Sequence, residues 1–201
     1  MPNPVTTPAY WDASSSNFDE DVDHGLTTDV AYRAWKKLLE HYPLKEKARV
    51  LDVGCGTGSL SFLLEDMGCD VIGVDFSGGM IDVANDKANR RYSNAKFQVM
   101  DAHNLSFAAG SFDVLLCRHL LWMFEDRVTV LRTWKDLLSE NGKIILIEGY
   151  WAGTGIKIQA LKDDVSSLFQ IEDATSLSKN DSLWGKKVTD ERYIIVAGKG
   201  S

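Results

Sequence analysis

The run Val50-Leu51-Asp52-Val53-Gly54-Cys55-Gly56-Thr57-Gly58 constrains this chain more than any other stretch. Val71-Ile72-Gly73-Val74-Asp75 follows it about twenty residues later, the distance at which a ribose-binding acid is expected. A short apolar run breaks into alternating glycines and then the amphipathic segment Ser59 to Met67, an order that predicts buried strand, tight turn, helix. Glycine can hold positive φ and lets a ligand lie against bare backbone. The helix that follows points unpaired N–H groups at whatever rests on the loop. Asp75, closing the second strand, is placed to accept both hydroxyls of a ribose. The ligand read from these residues contains a nucleoside.

Spacing narrows the choice of nucleoside. A dinucleotide fingerprint wants glycine at the first, third and sixth positions so that a pyrophosphate can sit on the helix N-terminus. Here the glycines fall at the first, third and fifth (Gly54, Gly56, Gly58), and Ser59 takes the sixth. Asp52 adds a negative charge at the strand tip, which would repel a pyrophosphate and suit an ammonium or sulfonium group. The segment Asp52-Val53-Gly54-Cys55-Gly56-Thr57-Gly58 resembles the first motif of class I S-adenosylmethionine (SAM)-dependent methyltransferases, and Asp75 matches that family's ribose-binding acid.

The resemblance implies an α/β fold: a Rossmann-like, doubly wound, mostly parallel seven-stranded sheet whose last strand is antiparallel. It implies SAM as cofactor, with S-adenosylhomocysteine (SAH) as product, and a small-molecule acceptor. It also carries site residues over. The loop Asp52, Gly54, Cys55, Gly56, Thr57 and Gly58 would approach the cofactor and Asp75 would hold the ribose. Phe76 and Met80 would form an adenine wall, and Asp101 with the backbone of Ala102 would read the base. Asp101 could equally cap a turn.

Ser111-Phe112-Asp113-Val114-Leu115-Leu116-Cys117 resembles the family's fourth strand, and Arg118-His119-Leu120-Leu121-Trp122 follows at its carboxyl end. Ligands of open parallel sheets bind outside those ends, where the strand order reverses. Arg118 is thus a candidate for the methionine carboxylate, or for an ion pair with Asp52 or Glu125. His119 is the candidate catalytic base, since an ordinary histidine titrates near neutrality; a pocket wall or a core histidine is the alternative. Tyr150 and Trp151 end the fifth strand at the same edge and fit a substrate wall.

Around this centre the periodicities predict a helix from Thr27 to His41, with Val30, Ala34, Trp35, Leu38 and Leu39 on its apolar positions. Strands are expected at 49–53, 71–75, 95–100, 111–117 and 143–148. Further helices are expected at 58–66, 80–91 and 125–138, with Asn141-Gly142 turning the last of these into the fifth strand. Beyond Ala152 the signal thins to a helix over 156–168, a strand over 169–174 and a last strand over 191–197, which the resemblance makes antiparallel. The short connection after the fifth strand suggests an open or minimal acceptor pocket.

With 201 residues and 44% hydrophobic content, the expectation is a single domain over 1–201, with 1–26 as an N-terminal arm. Trp11 and Phe18 in that arm are expected to close over the site, while residues 1–8 also fit a mobile tail. The net charge of −7 and the absence of any long basic run argue against a polynucleotide partner. Three cysteines without metal-type spacing point to reduced thiols in a cytoplasmic protein, with no metal. No stretch approaches the roughly twenty apolar residues of a membrane span. A monomer or homodimer is expected. Three other readings are weighed: a non-catalytic SAM- or SAH-binding module, kept open by the short acceptor region; an NAD(P)-dependent oxidoreductase, disfavoured by the glycine spacing; and a nucleic-acid or protein methyltransferase, the acidic balance standing against the former.

Overall fold

The computed structural model describes residues 6–151 and 153–200. Five parallel strands form its middle: β1 (Arg49–Val53), β2 (Asp70–Asp75), β3 (Lys96–Val99), β4 (Phe112–Arg118) and β5 (Leu138–Trp151). β8 (Glu191–Gly198) pairs antiparallel with β5, and β7 (Gln170–Ser176) antiparallel with β8. The order across the sheet is β3-β2-β1-β4-β5-β8-β7, with the two-residue β6 (Thr154–Gly155) folding back on the end of β5. The order reverses between β1 and β4, so their carboxyl ends open a crevice where a ligand can enter.

The helices are α1 (Pro8–Ser14), α2 (Asp29–Glu40), α3 (Ser59–Asp66), α4 (Gly78–Arg91), α5 (Arg127–Leu137), α6 (Ile158–Ser166) and the short α7 (Asp181–Trp184). They cover both faces, which is why β4 and β5 read as continuous apolar runs rather than alternating ones. Val114 and Leu116 of β4, with Ile145 and Ile147 of β5, pack into one core with Trp35, Leu63 and Trp184. Leu115 and Cys117, with Ile144 and Leu146, face the other with Leu131, Trp134 and Leu161. The period of two along each strand thus sorts consecutive residues into two cores. Between β3 and β4 the chain runs without a helix, and Leu105 and Phe107 cover the second core instead.

Local chemistry sets the boundaries. Thr28 caps α2 by accepting from Ala31 N at 3.1 Å, Ser77 caps α4 through Met80 N at 3.1 Å, and Asp126 caps α5 through Thr129 N at 3.0 Å. Gly68, at φ +89°, ends α3 as expected. Two expectations are corrected. Val30 is 59% exposed and Ala31 is buried in its place, while Trp35 and Leu39 are buried and Ala34 and Leu38 pack half-buried against the core as expected. Asn141-Gly142 does not separate helix from strand: β5 begins at Leu138, directly after α5, and absorbs the pair as an irregularity between the Phe112–Leu138 and Val114–Lys143 pairings.

Buried indoles find partners: Trp35 Nε1 donates to Leu183 O at 2.9 Å and Trp134 Nε1 to Ala102 O at 2.8 Å. The second bond ties the core under α5 to the loop after β3. Trp134→Phe should leave that carbonyl without its donor and cost about 1–3 kcal/mol. At roughly 2–4 °C per kcal/mol for a domain of this size, a thermal melt would register it; an unchanged melting temperature would contradict the assignment.

Candidate functional site

The turn after β1 is held from below by β2: Gly54 N and Cys55 N both donate to Val74 O, at 2.8 and 3.0 Å. Gly54 (φ +72°) and Gly56 (φ +54°) lie in the left-handed region. A Cβ on Gly54 would come within 2.8 Å of the Leu120 side chain, and one on Gly56 within 3.2 Å of the Phe18 ring. Asp75 closes the frame. Its Oδ2 accepts from Gly56 N and its Oδ1 from Ser77 N, both at 2.9 Å. One carboxylate therefore fixes both the glycine turn and the entry to α4. Burial raises its pKa, and the amides of Ser77, Gly56 and Phe76 oppose that rise.

Three hollows meet around this frame. The first, about 710 Å³, is lined by the glycine turn, Asp52, Asp75, Phe76, Met80, Arg118 and His119, with Trp11 and Phe18 from the arm. The second, about 610 Å³, runs on past Asp75 and Phe76 to Asp101, Ala102 and Phe124. They share Gly54, Asp75, Phe76, Leu120 and Met123, so they are lobes of one cleft with the carboxyl end of β2 between them. The third, about 550 Å³, adjoins the first at Trp11, His24 and His119.

Most expected site residues come together here. Asp52, Gly54, Cys55, Gly56, Asp75, Phe76, Met80, Arg118 and His119 line the first lobe; Asp101 and Ala102 line the second. Thr57 and Gly58 line none of the three lobes. Thr57 is 1% exposed and donates its hydroxyl to Asp19 Oδ1 at 2.5 Å, while Gly58 is the left-handed residue that starts α3. Asp101 turns its Oδ1 toward His103, accepting from the His103 amide at 2.9 Å, so the turn-capping alternative describes its present contacts. Sequence reasoning missed Leu120, Met123, Phe124 and His103, which no motif marks.

The charged groups behind the lobes differ from expectation. Arg118 pairs with neither Asp52 nor Glu125; its Nη2 donates to His24 O at 2.6 Å and its guanidinium lies 5.4 Å from the Trp35 ring. Burial lowers its pKa to about 10, an environment in which it stays protonated. Asp52, 3% exposed, accepts from the Ser61 hydroxyl at 2.5 Å, and burial lifts its pKa to about 6. It is ionised above that pH and supplies a negative charge to the first lobe.

His119 departs from the titrating base expected of it. Burial, followed by Arg118 and Arg192, pushes the imidazole well below the usual histidine range, so it is neutral near pH 7. Its φ of +56° is strained for a non-glycine residue, and its buried Nε2 has no hydrogen-bond partner. Glu148, fully buried at the end of β5, accepts from Leu120 N at 2.9 Å and Leu121 N at 2.7 Å. Burial raises its pKa to about 8, so it holds the loop after β4 as a carboxylic acid at neutral pH.

The arm is docked rather than loose from Thr6 onward. Asp12 Oδ1 accepts from Ser77 Oγ at 2.6 Å and Gly79 N at 2.9 Å, at the N-terminus of α4. Asp19 accepts from Thr57 and pairs with Lys87, which also donates to Thr57 O at 3.0 Å. Phe18 stacks on His24 with centroids 4.2 Å apart, directly above Gly56. Residues 1–5, which carry most of the expected tail, lie outside the described residues.

Residues 51–146 match the family model described as a methyltransferase domain. A ubiquinone biosynthesis O-methyltransferase of Coxiella burnetii is 37% identical over 109 residues, 54% of this chain and 46% of that protein. Phosphoethanolamine N-methyltransferase 1 of Triticum aestivum is 28% identical over 130 residues, 64% of this chain and 26% of that protein. The chain thus spans less than half the length of these curated relatives. Among solved structures, the [4+2]-cyclase SpnF superposes with a TM-score of 0.78 at 19% identity, over 96% of this chain and 94% of its own, a likeness of fold alone. Fold, motif and family match agree: residues 51–146 match a methyltransferase domain, and the chain resembles the class I SAM-dependent methyltransferases. Among the described residues no helix is long and apolar enough to cross a membrane.

Proposed function

We propose that this protein transfers the methyl group of SAM to a small-molecule acceptor. The observation that carries the reading is Asp75, set at the carboxyl end of β2 where two lobes of one cleft meet, beside the switch point between β1 and β4. The residues fit the cofactor. The bare turn at Gly54 and Gly56 admits a close approach that a Cβ would block. Asp75 offers an acid at ribose position, and the second lobe, lined by Phe76, Phe124 and Asp101 among others, would take the adenine.

SAM supplies an activated methyl on a positively charged sulfur; the chain's task is alignment. Arg118 would stand near the methionine end of the first lobe and Asp52 would balance the sulfonium charge. Phe18 and Trp11 would cover the cleft and exclude water. Fixing donor and acceptor in line removes an entropic cost that can reach about 7–11 kcal/mol. The resting position of His119 suits a hydrogen-bond acceptor rather than a strong base.

The test is incubation with methyl-labelled SAM and a panel of small acceptors, with SAH release as readout. Label transferred to a small molecule and SAH formed in equal amount is the expected result. SAH-tight binding with no turnover on any acceptor would favour a non-catalytic module. The arm is tested alongside it: Phe18→Ala should weaken SAH binding about tenfold, by removing the ring above Gly56, and unchanged affinity would remove the arm from the site.

A further inference from the structure

The third lobe is walled by Trp11, His24 and His119 on the side of the glycine turn and by Trp122, Trp151 and the Asp23–Arg192 pair on the other. Trp122 and Trp151 meet edge to face, with centroids 6.5 Å apart, and Trp151 stands 4.9 Å from the His119 ring. Trp122 Nε1 is already engaged, donating to His119 O at 2.9 Å. What that indole offers a ligand is therefore apolar ring surface.

The ionic groups at the lobe are matched among themselves. Arg192 reaches Asp190 Oδ1 through Nε at 2.8 Å and Asp23 Oδ1 through Nη1 at 3.3 Å. Lys186 Nζ lies 2.6 Å from Asp23 Oδ2. Two cations thus face two carboxylates, which leaves no surplus charge for a phosphate or an ammonium group. Asp23 Oδ1, though without a hydrogen bond, sits against the Arg192 guanidinium. The polar atom left over is His119 Nε2, buried and without either a hydrogen bond or an ionic partner, on the wall common to the first and third lobes. An unsatisfied buried polar atom is costly, and an incoming donor would offset that cost.

The geometry points to the third lobe as the acceptor site, and to its occupant as an uncharged, planar ring bearing a hydroxyl that donates to His119 Nε2. This deepens the methyl-transfer reading above and rests on it. Indole walls hold a flat ring by stacking and edge contacts that add to the burial of its area. A hydroxyl on His119 Nε2 stands at the boundary with the first lobe, where the methyl would arrive. In the step, the acceptor oxygen forms a bond to the methyl carbon as the carbon–sulfur bond breaks. The electron pair of that bond stays on sulfur, which becomes a neutral thioether. His119 Nε2, in the tautomer that carries its hydrogen on Nδ1, holds the hydroxyl by accepting its hydrogen bond, and the proton leaves to water, so the positive charge lost from sulfur departs with that proton.

The experiment is saturation-transfer NMR on the full chain loaded with SAH, using catechol and 2-naphthol as neutral phenols and phosphoethanolamine as the charged competitor. The phenols should receive saturation and phosphoethanolamine should not. Trp122→Ala, or Trp151→Leu as a second wall variant, should weaken catechol binding at least tenfold. His119→Asn, a residue that tolerates positive φ, should weaken it about threefold or more, and SAH affinity should stay within threefold in the two tryptophan variants. Preference for phosphoethanolamine, no transfer to either phenol, or unchanged catechol affinity in these variants would overturn the proposal while SAH binding leaves the methyl-transfer reading standing. Failure of the unmodified protein to bind SAH would overturn both.

Discussion

Asp75→Ala should lower SAH affinity by about a hundredfold, through two effects that add. The substitution removes the acid that would hold the ribose hydroxyls, and hydrogen bonds to a charged acceptor contribute about 1.5–3 kcal/mol. It also releases Gly56 N and Ser77 N, which Asp75 holds at 2.9 Å each, so the glycine turn loses the brace that shapes it. Asp75→Asn separates the two. Its remaining oxygen can accept from one of the amides, so the loop should be largely kept while ribose binding still falls. Calorimetry gives the affinities and a thermal melt of the ligand-free protein gives the brace. Full SAH affinity in Asp75→Ala would refute the ribose assignment; a full loss of affinity with an unchanged melt would show that the carboxylate binds ligand without shaping the loop.

The second large effect concerns Glu148. A carboxyl with a folded pKa of about 8, against 4.5 in the unfolded chain, stabilises the fold while it is protonated. That contribution is complete below the unfolded value and is lost as pH rises through about 8. The wild-type protein should therefore lose on the order of a few kcal/mol between pH 5 and 8.5 from this group. Asp52, raised to about 6, adds to the slope, so the informative quantity is the difference between proteins. Glu148→Gln keeps an oxygen for the Leu120 and Leu121 amides and cannot ionise. It should be slightly less stable than wild type at pH 5 and more stable at pH 8.5, with the two curves crossing. Glu148→Leu strands both amides and should cost about 2–5 kcal/mol at pH 5, a deficit against wild type that shrinks as pH rises towards 8.5. Parallel denaturant curves for wild type and Glu148→Gln across this range would contradict the account.

What was legible in the sequence is what short-range chemistry writes densely. The turn at 54–58 needs glycine for positive φ, so its position and the flanking strands could be read directly, as could the twin-faced apolar runs of β4 and β5. Long-range partnerships were not legible. Asp12 and Asp19 look like any acids of a polar arm until α3 and α4 bring Thr57, Ser77 and Gly79 to them. Glu148 reads as the polar end of a strand, and nothing local says that two loop amides will meet it in a dry interior. Thr57 belongs to the motif yet serves the arm, because the turn that exposes Gly54 and Gly56 buries the next side chain. Val30 was misplaced because an apolar residue beside a helix cap satisfies the period without facing the core. Asn141-Gly142 signals a turn strongly, but cross-strand pairing with β4 and β8 on either side carried the strand through it.

The most direct measurement is calorimetric titration of the full chain with SAH and SAM, with NAD and NADP as controls. The account predicts one site per chain, micromolar binding of both sulfur nucleosides, no heat from the nicotinamide cofactors, and about a hundredfold loss in Asp75→Ala. Binding of a nicotinamide cofactor in place of SAH, or no binding of either sulfur nucleoside, would contradict it.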